Sequence, residues 1–133
     1  MEVIADTTVL IDLWRYSRKP SRLAELKNKV RDAAILVPWI TQAEFSRGAL
    51  FQGVSLDRLK DFYRGFHLVP LDQPTIDTYC RLWVTMAKGG RAPSYPDLWI
   101  AACAIARDLA VLTRNPKHFA NIPDLDVIGY SVG

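Results

Sequence analysis

Short apolar, β-prone runs alternate with longer helical stretches along almost the whole chain, and this alternation restricts the fold more than any other feature. The runs are Glu2-Val3-Ile4-Ala5, Ala34-Ile35-Leu36-Val37-Pro38, His67-Leu68-Val69-Pro70-Leu71, Ala110-Val111-Leu112-Thr113 and Asp126-Val127-Ile128-Gly129. Each is short, rich in branched or large apolar residues, and bounded by polar or turn-forming residues, which is the pattern of a buried strand. Strands that alternate with helices imply a mostly parallel sheet covered on both faces. The expectation is an α/β fold with a mostly parallel central sheet of four to five strands, in a single domain spanning residues 1–133. A chain of that length can bury a core of its own.

The intervening segments carry helix signals. Val9 to Trp14 can start a helix directly after Asp6. Leu23, Leu26 and Val30 space the apolar positions of a surface helix from about Ser21, inside a run carrying Arg15, Arg18, Lys19, Arg22, Lys27, Lys29 and Arg31. Such a charge run reads first as a solvated face and second as a nucleic-acid contact. Thr41-x-x-Glu44 has the form of a capping box, with Thr41 as N-cap. Ser55 to Gly65 is helical, with Leu56, Leu59, Phe62 and Tyr63 on one side. Ile76, Tyr79, Cys80, Trp83, Val84 and Ala87 form an apolar stripe at helical spacing, read as core with a part available to a dimer interface. Gly89-Gly90 ends that helix, and a loop from Lys88 to Pro93 follows. Ser94 is a suitable N-cap for the next helix, Pro96 fits its first turn, and Leu98 to Ala106 is apolar nearly all round, so both faces are expected to be covered.

Other classes fall away on composition. The chain has no apolar run long enough to span a membrane. Its start, Met1-Glu2-Val3, lacks a basic n-region, which predicts no signal peptide. Cys80 and Cys103 both lie in apolar helical patterns and read first as buried free thiols of a reducing, cytoplasmic compartment and second as a disulfide pair. The net charge of +3 is compatible with an anionic partner.

Three acids stand at comparable places. Asp6 ends the first strand, Glu44 lies early in a helix, and Asp97 sits at the mouth of the apolar helix. Each has a structural explanation: N-cap, capping box and helix-start acid respectively. Ligands of open α/β sheets, however, bind beyond the carboxyl ends of the strands. In this topology Asp6, Asp97 and Thr113-Arg114-Asn115 gather at one sheet edge, and Glu44 can project to it. Clustered carboxylates raise one another's pKa unless a cation neutralises them. An all-oxygen donor set without Cys or His favours Mg²⁺ or Mn²⁺ over Zn²⁺, and such an ion suits phosphodiester hydrolysis. Asp12 is expected to be solvated. Arg47, one turn beyond Glu44, can hold a phosphate or form a surface ion pair. Arg114 and Lys117 can draw in a phosphate backbone. Thr113 reads as a partner of an acid or as a plain strand end, and His118 as a turn residue or a general acid. Trp14, Trp39, Phe45 and Phe51 read mostly as core, with some available to line a peptide groove.

Four segments together resemble the PIN domain: Val3-Ile4-Ala5-Asp6-Thr7-Thr8-Val9-Leu10-Ile11, Thr41-x-x-Glu44-x-x-x-Gly48, Asp97-x-x-Ile100-Ala101-Ala102-x-Ala104, and Leu112-Thr113-Arg114-Asn115-Pro116-Lys117-His118-Phe119. In order and spacing they look like the VapC toxins of toxin–antitoxin pairs. The resemblance implies a PIN-like α/β/α sandwich and a Mg²⁺-dependent endoribonuclease, neutralised by a VapB-like antitoxin, usually a homodimer and part of a larger complex. It implies a catalytic set of Asp6, Glu44, Asp97 and Asn115, with metal binding by the three acids, and places Asn115 where many relatives carry a fourth acid and others an Asn. Thr113, Arg47 and Arg114 support the site. The competing reading is a non-catalytic PIN-type protein that binds an antitoxin and nucleic acid. A haloacid-dehalogenase-type phosphatase needs a second Asp two residues after Asp6, where this chain has Thr8.

Overall fold

The structure is a computed structural model that describes residues 1–91 and 94–133. Five strands form one sheet: β1 (Glu2–Ala5), β2 (Ala34–Pro38), β3 (His67–Val69), β4 (Ala110–Thr113) and β5 (Val127–Gly129). Their order is β3-β2-β1-β4-β5, and every neighbouring pair is parallel. Six α-helices connect them: α1 (Thr7–Arg15), α2 (Ala24–Lys29), α3 (Trp39–Phe51), α4 (Leu56–Tyr63), α5 (Gln73–Lys88) and α6 (Tyr95–Ala106). Short 3-10 turns cover Pro20–Leu23 and Pro116–Phe119. The expected strand at 67–71 is shorter than anticipated, because Pro70 has no N–H to continue the ladder.

Alternation along the strands builds the layers. Ile4, Leu36 and Val111 face α5 and α6, where Leu82, Met86, Leu98 and Ala102 pack. Val3, Ala5 and Leu112 face the other way, onto Val9, Leu23 and Leu26. Val37 joins Leu10, Phe45, Leu59 and Tyr63 on that side. The result is an α/β/α arrangement. α6 has both faces covered, as its composition requires, with Leu98, Ile100 and Ala101 to Ala104 all buried. The basic residues between Arg15 and Arg31 are all exposed, so that run is a solvated face.

Five expectations change. Asp12 is fully buried, not solvated: Arg114 Nη1 donates to its Oδ1 at 3.0 Å and the Tyr130 hydroxyl to its Oδ2 at 2.6 Å. Thr41 is not an N-cap. α3 begins at Trp39, so Thr41 lies inside the first turn, and its buried hydroxyl donates to the Ala5 carbonyl at 2.9 Å. The capping box is therefore absent, and Glu44 has no capping role. The apolar stripe of α5 is rotated from the expected core face. Thr75, Thr78, Leu82 and Met86 are buried, whereas Cys80, Ala87, Trp83 (49% exposed) and Val84 (43% exposed) face outward. Thr78 tolerates burial because its hydroxyl donates to the Pro74 carbonyl within the helix. Tyr79, stacked on Trp99 at 3.8 Å between ring centroids, fixes the rotation. Cys80 is accordingly an exposed thiol, and Cys103 a buried one whose pKa burial pushes up to about 11. Phe51, expected in the core, is 92% exposed. Of the loop expected from Lys88 to Pro93, the residues Ala92 and Pro93 lie outside those described.

Candidate active site

Parallel register aligns the carboxyl ends of the central strands. Ala5 pairs with Leu112, and the Asp6 N–H continues the ladder by donating to the Leu112 carbonyl at 3.2 Å. Asp6 is thereby pinned one residue beyond β1 and 5% exposed. It does act as N-cap of α1: its Oδ1 accepts from the Thr8 N–H at 2.9 Å and from the Thr8 hydroxyl. Its Oδ2 accepts from the Thr113 hydroxyl at 2.7 Å, across the gap between β1 and β4. Burial raises the pKa of Asp6, while the hydrogen bonds from Thr8 and Thr113 pull it down.

The other two acids come from α3 and α6. Glu44 is half-buried, and its Oε1 accepts from the Thr7 hydroxyl at 2.8 Å, which draws the α3 carboxylate to the start of α1. Asp97 is half-buried in the first turn of α6. Ser94 occupies the N-cap position there, but its hydroxyl makes no capping hydrogen bond to the helix backbone. Burial is the largest cause of a raised pKa at Asp97. The Ser94 hydroxyl and His118 lower it, and the negative charges of Asp6 and Glu44 raise it. The three carboxylates thus stand near enough to feel one another.

Around them, Thr113 is fully buried on Asp6 and accepts the Asn115 N–H at 3.0 Å. Asn115 is half-buried at the head of the 3-10 turn Pro116–Phe119, where its carbonyl accepts the His118 N–H. Arg47 is exposed and unpaired: among the described residues the ion pairs are Arg64–Asp61, Arg107–Asp72 and Arg114–Asp12. The last of these joins the Arg114 guanidinium, through Nη1, to buried Asp12. Lys117 and His118 are exposed. Trp14 packs edge-on against Phe45 and Phe62, and with Ile11 and Gly48 lines a groove that begins at Thr7 and Glu44.

The model of the PIN domain matches residues 3–125 of this chain. The chain belongs to the PIN-domain family. A similar relative is Ribonuclease VapC1 of Methanocaldococcus jannaschii, 29% identical over 123 residues that cover 92% of this chain and 82% of the relative. The fold is shared with VapBC2 from Rickettsia felis bound to a promoter DNA fragment, at a TM-score of 0.82 and 20% identity over 98% of this chain and 100% of that one. A toxin–antitoxin complex from Klebsiella pneumoniae matches at a TM-score of 0.70 and 26% identity, over 98% and 99% of the two chains.

PIN-domain nucleases are generally dependent on a divalent metal, and the donors of this PIN domain suit one chemically. Asp6, Glu44 and Asp97 are oxygen donors, two with carboxyls raised by burial, and a bound dication relieves both burdens. Among the described residues no group of three or more His, Cys, Asp and Glu side chains is already drawn together as a ligand cage. An ion would have to close the last distance. Sequence reasoning gave no role to Thr7 and Thr8, which hold Glu44 and Asp6, nor to Tyr130, which with Arg114 meets buried Asp12. The signal for Thr8 was available: an Asp two residues before a Thr at a helix start is an Asx-type N-terminus.

Proposed function

We propose that this PIN domain is the toxin half of a VapBC-type pair, an endoribonuclease dependent on Mg²⁺ or Mn²⁺ and restrained by a VapB-like antitoxin. One observation carries the reading. Three carboxylates from three separate elements lie toward the carboxyl ends of a parallel sheet, and Asp97 feels the charges of the other two while, among the described residues, no arginine or lysine forms an ion pair with it. That arrangement is costly for a protein that only binds RNA, because it repels phosphate. It is useful to one that holds a cation there.

In this reading Asp6, Glu44 and Asp97 would hold the ion. A bound Mg²⁺ or Mn²⁺ supplies a more acidic attacking water and neutralises charge gathering on the phosphate oxygens. Thr8 and Thr113 keep both oxygens of Asp6 oriented, and Thr7 does the same for Glu44. Asn115 orients a water or an acid at the rim. Arg47 and Lys117 draw the phosphate backbone toward the sheet edge. The apolar groove of Ile11, Trp14 and Phe45, open at Glu44, suits an amphipathic antitoxin segment. No helix among the described residues is long and apolar enough to cross a membrane, and the cytoplasm is the proposed location.

The direct test is incubation of the antitoxin-free protein with purified cellular RNA. Cleavage with Mg²⁺ and none in EDTA is expected. Calorimetry gives an independent check. Millimolar Mg²⁺ or Mn²⁺ binds the folded site alone, so the melting temperature rises with metal concentration. An unchanged melting temperature counts against the three-acid site even if some RNA is degraded.

The outward face of α5 supports a homodimer. Trp83 and Val84 are exposed there, beside Tyr95 at the start of α6, which is 59% exposed. Light scattering is expected to give twice the monomer mass at micromolar concentration, and Trp83→Glu to give the monomer mass. A monomer at every concentration sinks the assembly without touching the site.

A further inference from the structure

We propose that Tyr130 and Asp12 are positioning residues for the metal site: together they clamp the ends of β4 and β5 to α1, and so fix the direction in which Asp6 presents its two oxygens. The proposal rests on the nuclease reading above and adds the residues that govern how tightly and how selectively the three acids take an ion. Asp12 is fully buried and Tyr130 is 4% exposed, so neither can touch the ion or the RNA. The Asp12 carboxylate lies on α1 and receives one donor from beyond each of two strands. Arg114, the residue after β4, donates from Nη1 to Oδ1 at 3.0 Å. Tyr130, the residue after β5, donates its hydroxyl to Oδ2 at 2.6 Å. Burial, and then the bond to Asp12 and its charge, push the Tyr130 pKa up, so the hydroxyl keeps its proton and remains a donor.

The clamp reaches Asp6 by two short routes. Thr8 and Asp12 are four residues apart on α1 and share a face, which meets the end of β4. The Arg114 N–H donates to Thr8 Oγ1 at 3.1 Å, and the Thr8 hydroxyl donates to Asp6 Oδ1. On the second route the Tyr130 N–H donates to the Thr113 carbonyl at 3.3 Å, and the Thr113 hydroxyl donates to Asp6 Oδ2 at 2.7 Å. Thr113 Oγ1 in turn accepts the Asn115 N–H at 3.0 Å. Each threonine hydroxyl thus accepts one backbone N–H and gives its single proton to Asp6. Both of those N–H groups belong to the segment just after β4, which Arg114 anchors to Asp12. Mg²⁺ demands near-ideal octahedral geometry, whereas Ca²⁺ takes a more flexible shell. Releasing the clamp therefore weakens Mg²⁺ more than Ca²⁺.

Metal binding tests this without relying on cleavage. The antitoxin-free protein is titrated with Mn²⁺ well below its melting temperature, free ion being read from its electron spin resonance signal. Mg²⁺ and Ca²⁺ are then measured by competition against Mn²⁺. The Mn²⁺ held by the three acids is the part that Asp97→Asn removes. Tyr130→Phe deletes one hydroxyl, keeps the ring and leaves Asp12 its arginine, so the variant is expected to fold. It should bind that Mn²⁺, and Mg²⁺, about tenfold more weakly, the low end of the cost of losses behind metal ligands, with Ca²⁺ moved less. Leu26→Val, a packing loss at a fully buried position of α2, should lower the melting temperature and leave all three dissociation constants in place, because the chain is still folded at the temperature of the titration. The clamp is overturned if Tyr130→Phe binds Mn²⁺ and Mg²⁺ as the parent does, if Ca²⁺ is weakened equally, or if Leu26→Val weakens them as much. A parent holding no Mn²⁺ that Asp97→Asn removes overturns the three-acid reading and the clamp with it. Tenfold weaker binding in Tyr130→Phe, beside a parent that cuts no RNA, supports the clamp and overturns the nuclease reading.

Discussion

Arg114→Ala is expected to lose about 3 kcal/mol of folding stability, read as a lower urea midpoint with little change in slope. Asp12 is fully buried, and its charge is met by the Arg114 guanidinium at 3.0 Å and the Tyr130 hydroxyl at 2.6 Å. Removing one partner of a buried pair leaves an uncompensated charge, which costs about 3–5 kcal/mol. The remaining bond from Tyr130 and the partial exposure of Arg114 place the expectation at the lower end. Replacing all three groups by apolar ones, as Asp12→Leu, Arg114→Met and Tyr130→Phe together, should recover most of the loss, because no buried polar group is then unpaired. The same experiment separates two roles for Arg114. A phosphate-binding arginine would raise the KM for RNA and leave the urea midpoint alone. A midpoint within 1 kcal/mol of the parent, by the calibration of ordinary surface substitutions at about ±0.5 kcal/mol, would falsify the structural role.

The distance along the chain explains why this trio could not be read in the sequence while the acids could. Asp6 and Asp97 sit at element ends, and element ends follow from local signals: a β-prone run before one, an N-cap and Pro96 before the other. The parallel sheet followed from the alternation of runs, and its edge followed from the sheet. Asp12 meets partners 102 and 118 residues downstream, so nothing near it announces burial. Thr41 is a similar case. Its local pattern with Glu44 is a capping box, but Ala5, 36 residues upstream, offers a buried carbonyl, and the helix starts earlier to meet it. The rotated face of α5 also has a tertiary cause, the stacking of Tyr79 on Trp99. Tertiary partners overrode a local pattern in all three instances. The placing of Asp6 and Asp97 at element ends was legible, and the threonines that hold Asp6 and Glu44 were legible only in part.

Asp97→Asn should lower RNA cleavage by at least on the order of 100-fold, since even losses behind the ligands of a metal site cost about 10–100-fold. An amide keeps the size of the side chain and can still stand at the mouth of α6, so a helix-start role predicts little change in fold or function. The two roles also predict opposite stability patterns. In the folded protein the Asp97 pKa is raised, chiefly by burial and then by Asp6 and Glu44, against relief from Ser94 and His118. A carboxyl raised on folding takes up a proton between its ordinary and its raised pKa, so its stability penalty is fully present above the raised value and fades as pH falls through it. In EDTA at neutral pH, Asp97→Asn should therefore melt above the parent, and acidification should close the gap. Added Mg²⁺ should reverse the order, because the parent gains more from the cation than the amide does. Growth arrest on expression should vanish, while antitoxin capture persists on an unchanged surface. If the Asn115 amide orients a water or an acid and does not anchor the ion, Asn115→Ala is milder in every assay. Cleavage of purified RNA beside circular dichroism decides the matter. If Asp97→Asn is folded and cuts as well as the parent, Asp97 is a helix-start acid and the metal site must be sought elsewhere.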